Sequence, residues 1–326
     1  MTLPLLSIAN LNIHFHRGHS VMHPVRGLSL HVNAGECVAI VGESGCGKSL
    51  TALSIARLPP TDHASVSGEL ILDNTNLSTA SPQTLNKLRG STVAYVFQDT
   101  SGALNPVMRV GDQIAECLPH LAKAARHERV VELLTRVGLP APHRQARAYP
   151  CQMSGGMQQR AMLAMALAGS PKLLVADEPT TALDVVTQRL VLDLIATIAT
   201  ADQLAVLLIT HNLALAAERA RRIYVMYGGQ VVETGPSAAI ITTPHHPYTH
   251  GLLAAVPRLT DPPRHRLRDI PGVVPGADNW PPGCPFAPRC PLATAKCHTT
   301  PLPTHHISTT HTCSCWHPLN HEVTPK

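Results

Sequence analysis

The hydrophobic pattern of the first 240 or so residues alternates between two lengths. Short, continuous apolar runs occur at Cys37–Val41 (CVAIV), at residues 173–176 (LLVA) and at residues 205–209 (AVLLI). Runs of this length without polar interruption predict strands buried on both faces. Between the second and third, residues 186–197 place Val186, Leu190, Val191, Leu194 and Ile195 (with Ile198 just beyond) on one face of a helix. The order strand, helix, strand predicts a crossover in a largely parallel sheet. Apolar residues at 223–227 and 231–232 flank Gly228 and Gly229, a hairpin signal. Residues 110–137 carry a charged, helix-like pattern with no strand in it. A helical subdomain is therefore expected over about residues 100–170, inserted between two strands.

From Pro244 onward the periodicity dissolves, and more than half of the 29 prolines lie there. This predicts a loop-rich appendage, residues 244–326, following a main domain at residues 1–243. With so little apolar patterning, the appendage is expected to need a staple other than burial.

Composition narrows the function classes. Hydrophobic residues make up 44% of the chain, enough for a packed core, so wholesale disorder is excluded. Only 3% are aromatic, which argues against recognition of nucleic acid by stacking. The net charge of +5 fits a phosphate-handling protein and equally an ordinary solvated surface. No apolar stretch approaches the ~20 residues that span a bilayer. The N-terminal MTLPLLSIANLN lacks the basic region and cleavage site of a signal peptide. The chain is expected on the cytoplasmic side, reaching a membrane only through partners.

Three constellations carry chemistry. Gly42, Glu43, Ser44, Gly45, Cys46, Gly47, Lys48 and Ser49 spell G-x-x-x-x-G-K-S directly after the first apolar run and before the helix-forming LTALSIARL. Glycines let successive backbone N–H groups turn inward on phosphate oxygens, and the helix N-terminus adds its dipole. Lys48 supplies charge to the β- and γ-phosphates, and the Ser49 hydroxyl ligates Mg²⁺. Second, Asp177 and Glu178 end the run at 173–176. Asp177 can hold Mg²⁺, and Glu178 can orient or deprotonate the water that attacks the γ-phosphate. Third, His211 ends the next strand, on the same edge of the sheet, within reach of the γ-phosphate.

Met153, Ser154, Gly155, Gly156, Met157 and Gln158 resemble the LSGGQ signature of the ABC ATPases. The other motifs of that family then follow in register. Gln98, in Val-Phe-Gln-Asp, resembles the Q-loop glutamine that touches Mg²⁺ and water. Thr181-Ala-Leu-Asp184 resembles the D-loop, and His211 the switch histidine. The resemblance implies an α/β fold of the P-loop NTPase type with a mixed sheet core. It also implies that Ser154, Gly155, Gly156 and Asp184 act on a nucleotide held by a facing subunit, that Leu50 belongs to the phosphate loop, and that Phe15 stacks on adenine. His246-Pro-Tyr-Thr249, Ile270-Pro-Gly-Val-Val-Pro275 and Gly283-Cys-Pro-Phe-Ala-Pro-Arg-Cys290 are similar to the C-terminal region of oligopeptide, dipeptide and nickel importers. The wording is most similar to the first of the two ATPases that such importers often carry. Two departures stand out: Met153 replaces Leu, a volume-conserving change, and Cys151 stands where the family commonly has His.

The resemblance thus implies an ATP-hydrolysing subunit that powers peptide import. Its partners would be a related second ATPase, two membrane permeases and, indirectly, a solute-binding protein. Nickel or metal-chelate import, and a soluble ABC ATPase outside transport, remain the alternatives. Cys284, Cys290, Cys297, Cys313 and Cys315 crowd the tail, a pattern that favours a metal over disulfides in a reducing compartment. The resemblance implies a [4Fe–4S] cluster on Cys284, Cys290, Cys297 and Cys315, with Cys313 spare; four thiolates suit zinc as well. The histidines near them (His298, His305, His306, His311, His317 and His321) are irregularly spaced and are expected to be solvated.

Overall fold

The computed structural model describes residues 3–17, 20–58, 63–98, 100–180, 184–256 and 269–320. Twelve strands follow one another along the described residues: β1 (Leu6–Arg17), β2 (Ser20–Val32), β3 (Cys37–Val41), β4 (Ala64–Leu72), β5 (Thr75–Asn76), β6 (Val93–Val96), β7 (Leu173–Asp177), β8 (Ala205–Thr210), β9 (Arg222–Tyr227), β10 (Gln230–Pro236), β11 (Thr304–His306) and β12 (Thr312–Ser314).

They form two sheets. The larger has the order β11-β12-β10-β9-β3-β8-β7-β6, and the smaller the order β2-β1-β4-β5. The middle of the large sheet is parallel, from β9 through β3, β8 and β7 to β6. Its β9–β10–β12–β11 edge is antiparallel. The apolar runs are uninterrupted because both faces of this sheet are covered. Val38 and Ile40 point into a core shared with the small sheet, while Ala39 and Val41 point into a second core beneath the helices. The three apolar runs of the sequence are β3, β7 and β8, the last two one residue longer than expected.

Between β6 and β7 the described residues form helices and loops without a strand, with helices Val110–Glu116, Lys123–Arg136 and Gly155–Leu167 as the longer members. The charged stretch at 110–137 is two helices rather than one. The break falls around Pro119, which cannot continue a helix. The crossover helix runs Val185–Asp202, but the expected apolar face is only partly inward. Val191, Ile195 and Ile198 are buried, whereas Val185, Val186 and Leu190 are 80, 70 and 49% exposed. They lie at the helix's N-terminal end.

The tail is not the loosely attached appendage that its composition suggests. Its β12 pairs with β10, and Tyr248 and Phe286 are fully buried in the core under the helices. Burial, not only a staple, holds it. His311 is also buried, 4% exposed, with Nε2 2.9 Å from Glu233 Oε1; His298, His305, His306 and His317 are exposed as expected. His321 lies outside the described residues, as do Thr181, Ala182 and Leu183 of the D-loop-like segment. No helix among the described residues is long and apolar enough to cross a membrane.

Candidate functional site

Strand β3 runs straight into the loop at residues 42–49. Gly42 passes β9 so closely that a Cβ would stand 2.2 Å from the Met226 carbonyl oxygen. Gly47, at φ 101°, takes the left-handed conformation that opens the helix Lys48–Ile55. Ser44 and Gly45 are exposed at the loop's tip, and Cys46 is buried beneath it. Lys48 is only 5% exposed; its ammonium donates to the carbonyls of Gly42 at 2.8 Å and Glu43 at 3.0 Å. A centred cation, inward-curled backbone and a helix N-terminus together make an anion site. Leu50 is half-buried and packs against the core shared with the small sheet.

Parallel pairing of β3, β8 and β7 brings their C-terminal ends to one edge. Asp177 ends β7, 7% exposed, and its Oδ1 has no hydrogen-bond partner among the described residues. Burial pushes its carboxyl above the usual value; the Ser49 hydroxyl and Lys48 charge oppose this, while Glu178 adds to it. A buried acceptor left without a donor, beside a serine hydroxyl, is what a divalent cation would satisfy. The next residue, Glu178, sits at φ 46° with its N–H donating to the Ile209 carbonyl at 2.9 Å. Left-handed backbone costs a non-glycine residue about 1–2 kcal/mol. It turns the carboxylate between two side chains: Gln98 Nε2 is 3.2 Å from Oε2, and His211 Nδ1 is 3.3 Å from Oε1. Three residues from three strand ends thus converge.

The signature segment forms a different surface. Ser154 caps the helix Gly155–Leu167, its hydroxyl accepting from Met157 N–H at 3.4 Å. Asp184 caps the crossover helix through Thr187, whose N–H and hydroxyl lie at 3.0 and 2.6 Å. These hydrogen bonds hold the Asp184 carboxyl below the usual carboxylate value. Ser154, Gly155, Gly156 and Asp184 line one groove with Leu190, and no residue of the phosphate loop borders it. Phe15 lies half-buried on β1, paired across to Met22 and Ala64.

In the tail, Cys284, Cys290, Cys297 and Cys315 line one small cavity, with Phe286, Leu302 and Trp316. Cys313 does not line it and instead faces Glu233 across β12–β10. Burial pushes the Cys284 thiol up to about 12 and the Cys315 thiol up to about 11. No group of three or more His, Cys, Asp or Glu among the described residues is placed to hold a metal ion. The four thiols share a cavity without gathering on one point.

Two further residues reach the site from the importer-like segments at 246–249 and 283–290, to which the sequence assigns no role at the phosphate loop. The Tyr248 hydroxyl accepts from Glu43 N–H at 2.9 Å. Arg289 binds the Glu43 carboxylate at 2.6 and 3.2 Å. Within the second segment, Arg289 stands out as a lone arginine in the otherwise uncharged stretch Pro285-Phe-Ala-Pro-Arg289.

The ABC transporter family matches residues 25–181, and the oligopeptide/dipeptide transporter C-terminal region matches residues 232–297. A probable peptide ABC transporter ATP-binding protein of Sinorhizobium fredii is 44% identical, over 96% of this chain and 94% of its own. A dipeptide transport ATP-binding protein of Haemophilus influenzae is 44% identical, over 99% of this chain and 98% of its own. Among solved structures, a dimeric ATP-binding cassette bound to ADP and phosphate superimposes with a TM-score of 0.64 at 28% identity, covering 71% of this chain and 98% of that one. A cassette from Clostridium perfringens, part of an ABC transporter complex, shares the fold with a TM-score of 0.64 at 24% identity, covering 74% of this chain and 91% of that one. With the phosphate loop, the paired acidic residues and the signature segment all in place, the chain belongs to the ABC transporter ATP-binding proteins, in their oligopeptide/dipeptide branch.

Proposed function

We propose that this chain binds and hydrolyses MgATP to drive the import of peptides, from the cytoplasmic face of a cell membrane. The observation that carries the chemistry is the Glu178 carboxylate held between Gln98 and His211, adjacent in sequence to Asp177. Lys48 and the loop N–H groups take the phosphates. Ser49, Asp177 and Gln98 are the residues that would hold Mg²⁺, which supplies charge neutralisation at the phosphates when bound. Glu178 orients the attacking water and accepts its proton, and His211 faces the γ-phosphate while steadying Glu178. The peptide assignment rests on relatives named for peptide and dipeptide transport.

The nucleotide-binding domain occupies residues 1–243, with its helical subdomain at about residues 100–170, and the importer-type tail occupies residues 244–326. A second, related cassette supplies the facing half of the site. The separation of the Ser154 groove from the phosphate loop supports this, as do the exposed Val185, Val186 and Leu190 beside that groove. Two permeases and a solute-binding protein complete the importer. Phe15 stacks on adenine.

The tail carries a [4Fe–4S] cluster on Cys284, Cys290, Cys297 and Cys315, supported by their shared cavity. Such a group would cross-link segments joined otherwise by few regular elements. Anaerobic purification should give a brown protein with visible sulfur-to-iron absorption; a colourless protein with stoichiometric zinc would overturn the cluster. For the main function, the purified chain with its second cassette should hydrolyse ATP, and deletion of its gene should abolish peptide uptake. Undiminished uptake would reject the assignment.

A further inference from the structure

The tail reaches back to the phosphate loop at the loop's second residue. Arg289 is 8% exposed and grips Glu43 with both guanidinium nitrogens, Nη1 to Oε2 at 2.6 Å and Nη2 to Oε1 at 3.2 Å. Its other donors tie down the tail itself, Nε to the Pro271 carbonyl at 2.9 Å and Nη2 to the Ile270 carbonyl at 3.0 Å. Nη1 also reaches the Tyr227 hydroxyl at 3.3 Å. Beside it, the Tyr248 hydroxyl accepts from the Glu43 N–H at 2.9 Å. Tyr227, Tyr248 and Phe286 pack against one another with ring centroids 4.6 to 5.3 Å apart, filling the space between this contact and the cysteine cavity.

The chemistry gives the contact a purpose. A loop built to receive a polyphosphate gains nothing from a carboxylate of its own, because like charges repel across a short distance. A bidentate guanidinium neutralises that carboxylate and fixes its direction, and the phenol hydroxyl fixes the adjoining backbone. We infer that Arg289, with Tyr248, is a positioning residue for nucleotide binding: the C-terminal segment sets the affinity of the phosphate loop by neutralising and holding Glu43. This rests on the MgATP reading and goes beyond it, since it makes the tail a part of the nucleotide site.

The test uses the full chain, with MgADP binding followed by calorimetry and ATP turnover measured with the second cassette. Lys48→Ala is the control for the reading itself: it should lose MgADP binding, and wild-type binding by it would overturn both. Arg289→Met should weaken MgADP about tenfold, raising KM for ATP far more than it lowers kcat. Arg289→Lys should fall between. The decisive variant is Arg289→Met with Glu43→Gln, which should recover most of the lost affinity because the unmasked charge is gone. An arginine that merely braced the tail would give no such recovery. If Arg289→Met does not fold, Tyr248→Phe, which removes one hydroxyl, should still weaken MgADP by a factor of about three. Wild-type affinity in both Arg289→Lys and Tyr248→Phe, or a Glu43→Gln change that deepens the Arg289→Met defect, would overturn the inference.

Discussion

Glu178 is held in left-handed backbone and braced from both sides, so its place depends on neighbours and its chemistry on one oxygen pair. Glu178→Gln keeps the size and one acceptor oxygen but removes the base. Turnover should fall by at least about 100-fold while MgATP affinity is retained, because general-base catalysis is worth roughly 10²–10⁴. Single-turnover kinetics with a parallel binding assay checks this, and undiminished turnover would remove Glu178 from its role. At Gly42 the constraint is steric. A methyl there would stand 2.2 Å from a backbone carbonyl, so Gly42→Ala should lower the melting temperature and weaken nucleotide binding together, read by calorimetry. These residues are legible in the sequence because their spacing is local: a glycine-rich loop after an apolar run, an acid pair at the end of the next. Arg289 and Tyr248 are not, because their partner lies more than two hundred positions away.

Among the elements, legibility follows burial. Strands β3, β7 and β8 are covered on both faces and read as unbroken apolar runs. The small sheet gives no such signal. The β1–β2 register shifts three times between Ile8 and Phe15, and β1–β4 shifts once between Ala9 and Asn12. Each shift interrupts the period-two alternation by which a half-buried strand is recognised. The tail reads as an appendage for a related reason: its burial comes from a few large side chains on short segments, with no period to detect. Phe286→Ala should therefore cost about 3–5 kcal/mol, as for any fully buried aromatic. The β10–β12 junction adds a pH dependence. Burial would raise the Glu233 carboxyl, but the His311 ring, Thr249 and the N–H groups of His245 and His246 bring it below its ordinary 4.5. A carboxyl depressed on folding stabilises fully above the unfolded value and loses that contribution as pH falls below it. Stability should thus start to fall as pH drops below about 4.5, and Glu233→Gln should remove that part of the slope in stability against pH.

At the scale of the molecule, the phosphate loop and the signature segment form two separate surfaces. The phosphate loop, Asp177 and Glu178 share the C-terminal edge of the sheet, whereas Ser154 and Asp184 open onto a groove that the loop does not border. Ser154 and Gly155 are exposed, and the apolar Val185, Val186 and Leu190 lie uncovered next to them. An anion-binding helix start with an apolar rim is suited to closing over a phosphate presented from outside. Two substitutions separate the surfaces. In the Glu178→Gln background, with the second cassette and MgATP, this chain should assemble into a stable pair detectable by light scattering. Adding Ser154→Arg should leave binding at its own Lys48 intact yet abolish assembly, since the groove is filled. Adding Lys48→Ala should remove the chain's own nucleotide while leaving its groove able to cap the partner's. Because the two defects fall on different nucleotides, Ser154→Arg should keep the nucleotide at this chain's own Lys48 whereas Lys48→Ala should lose it, read by equilibrium binding. Equal loss at both sites from Ser154→Arg, or assembly at undiminished strength, would mean that the groove takes no part in a shared pocket.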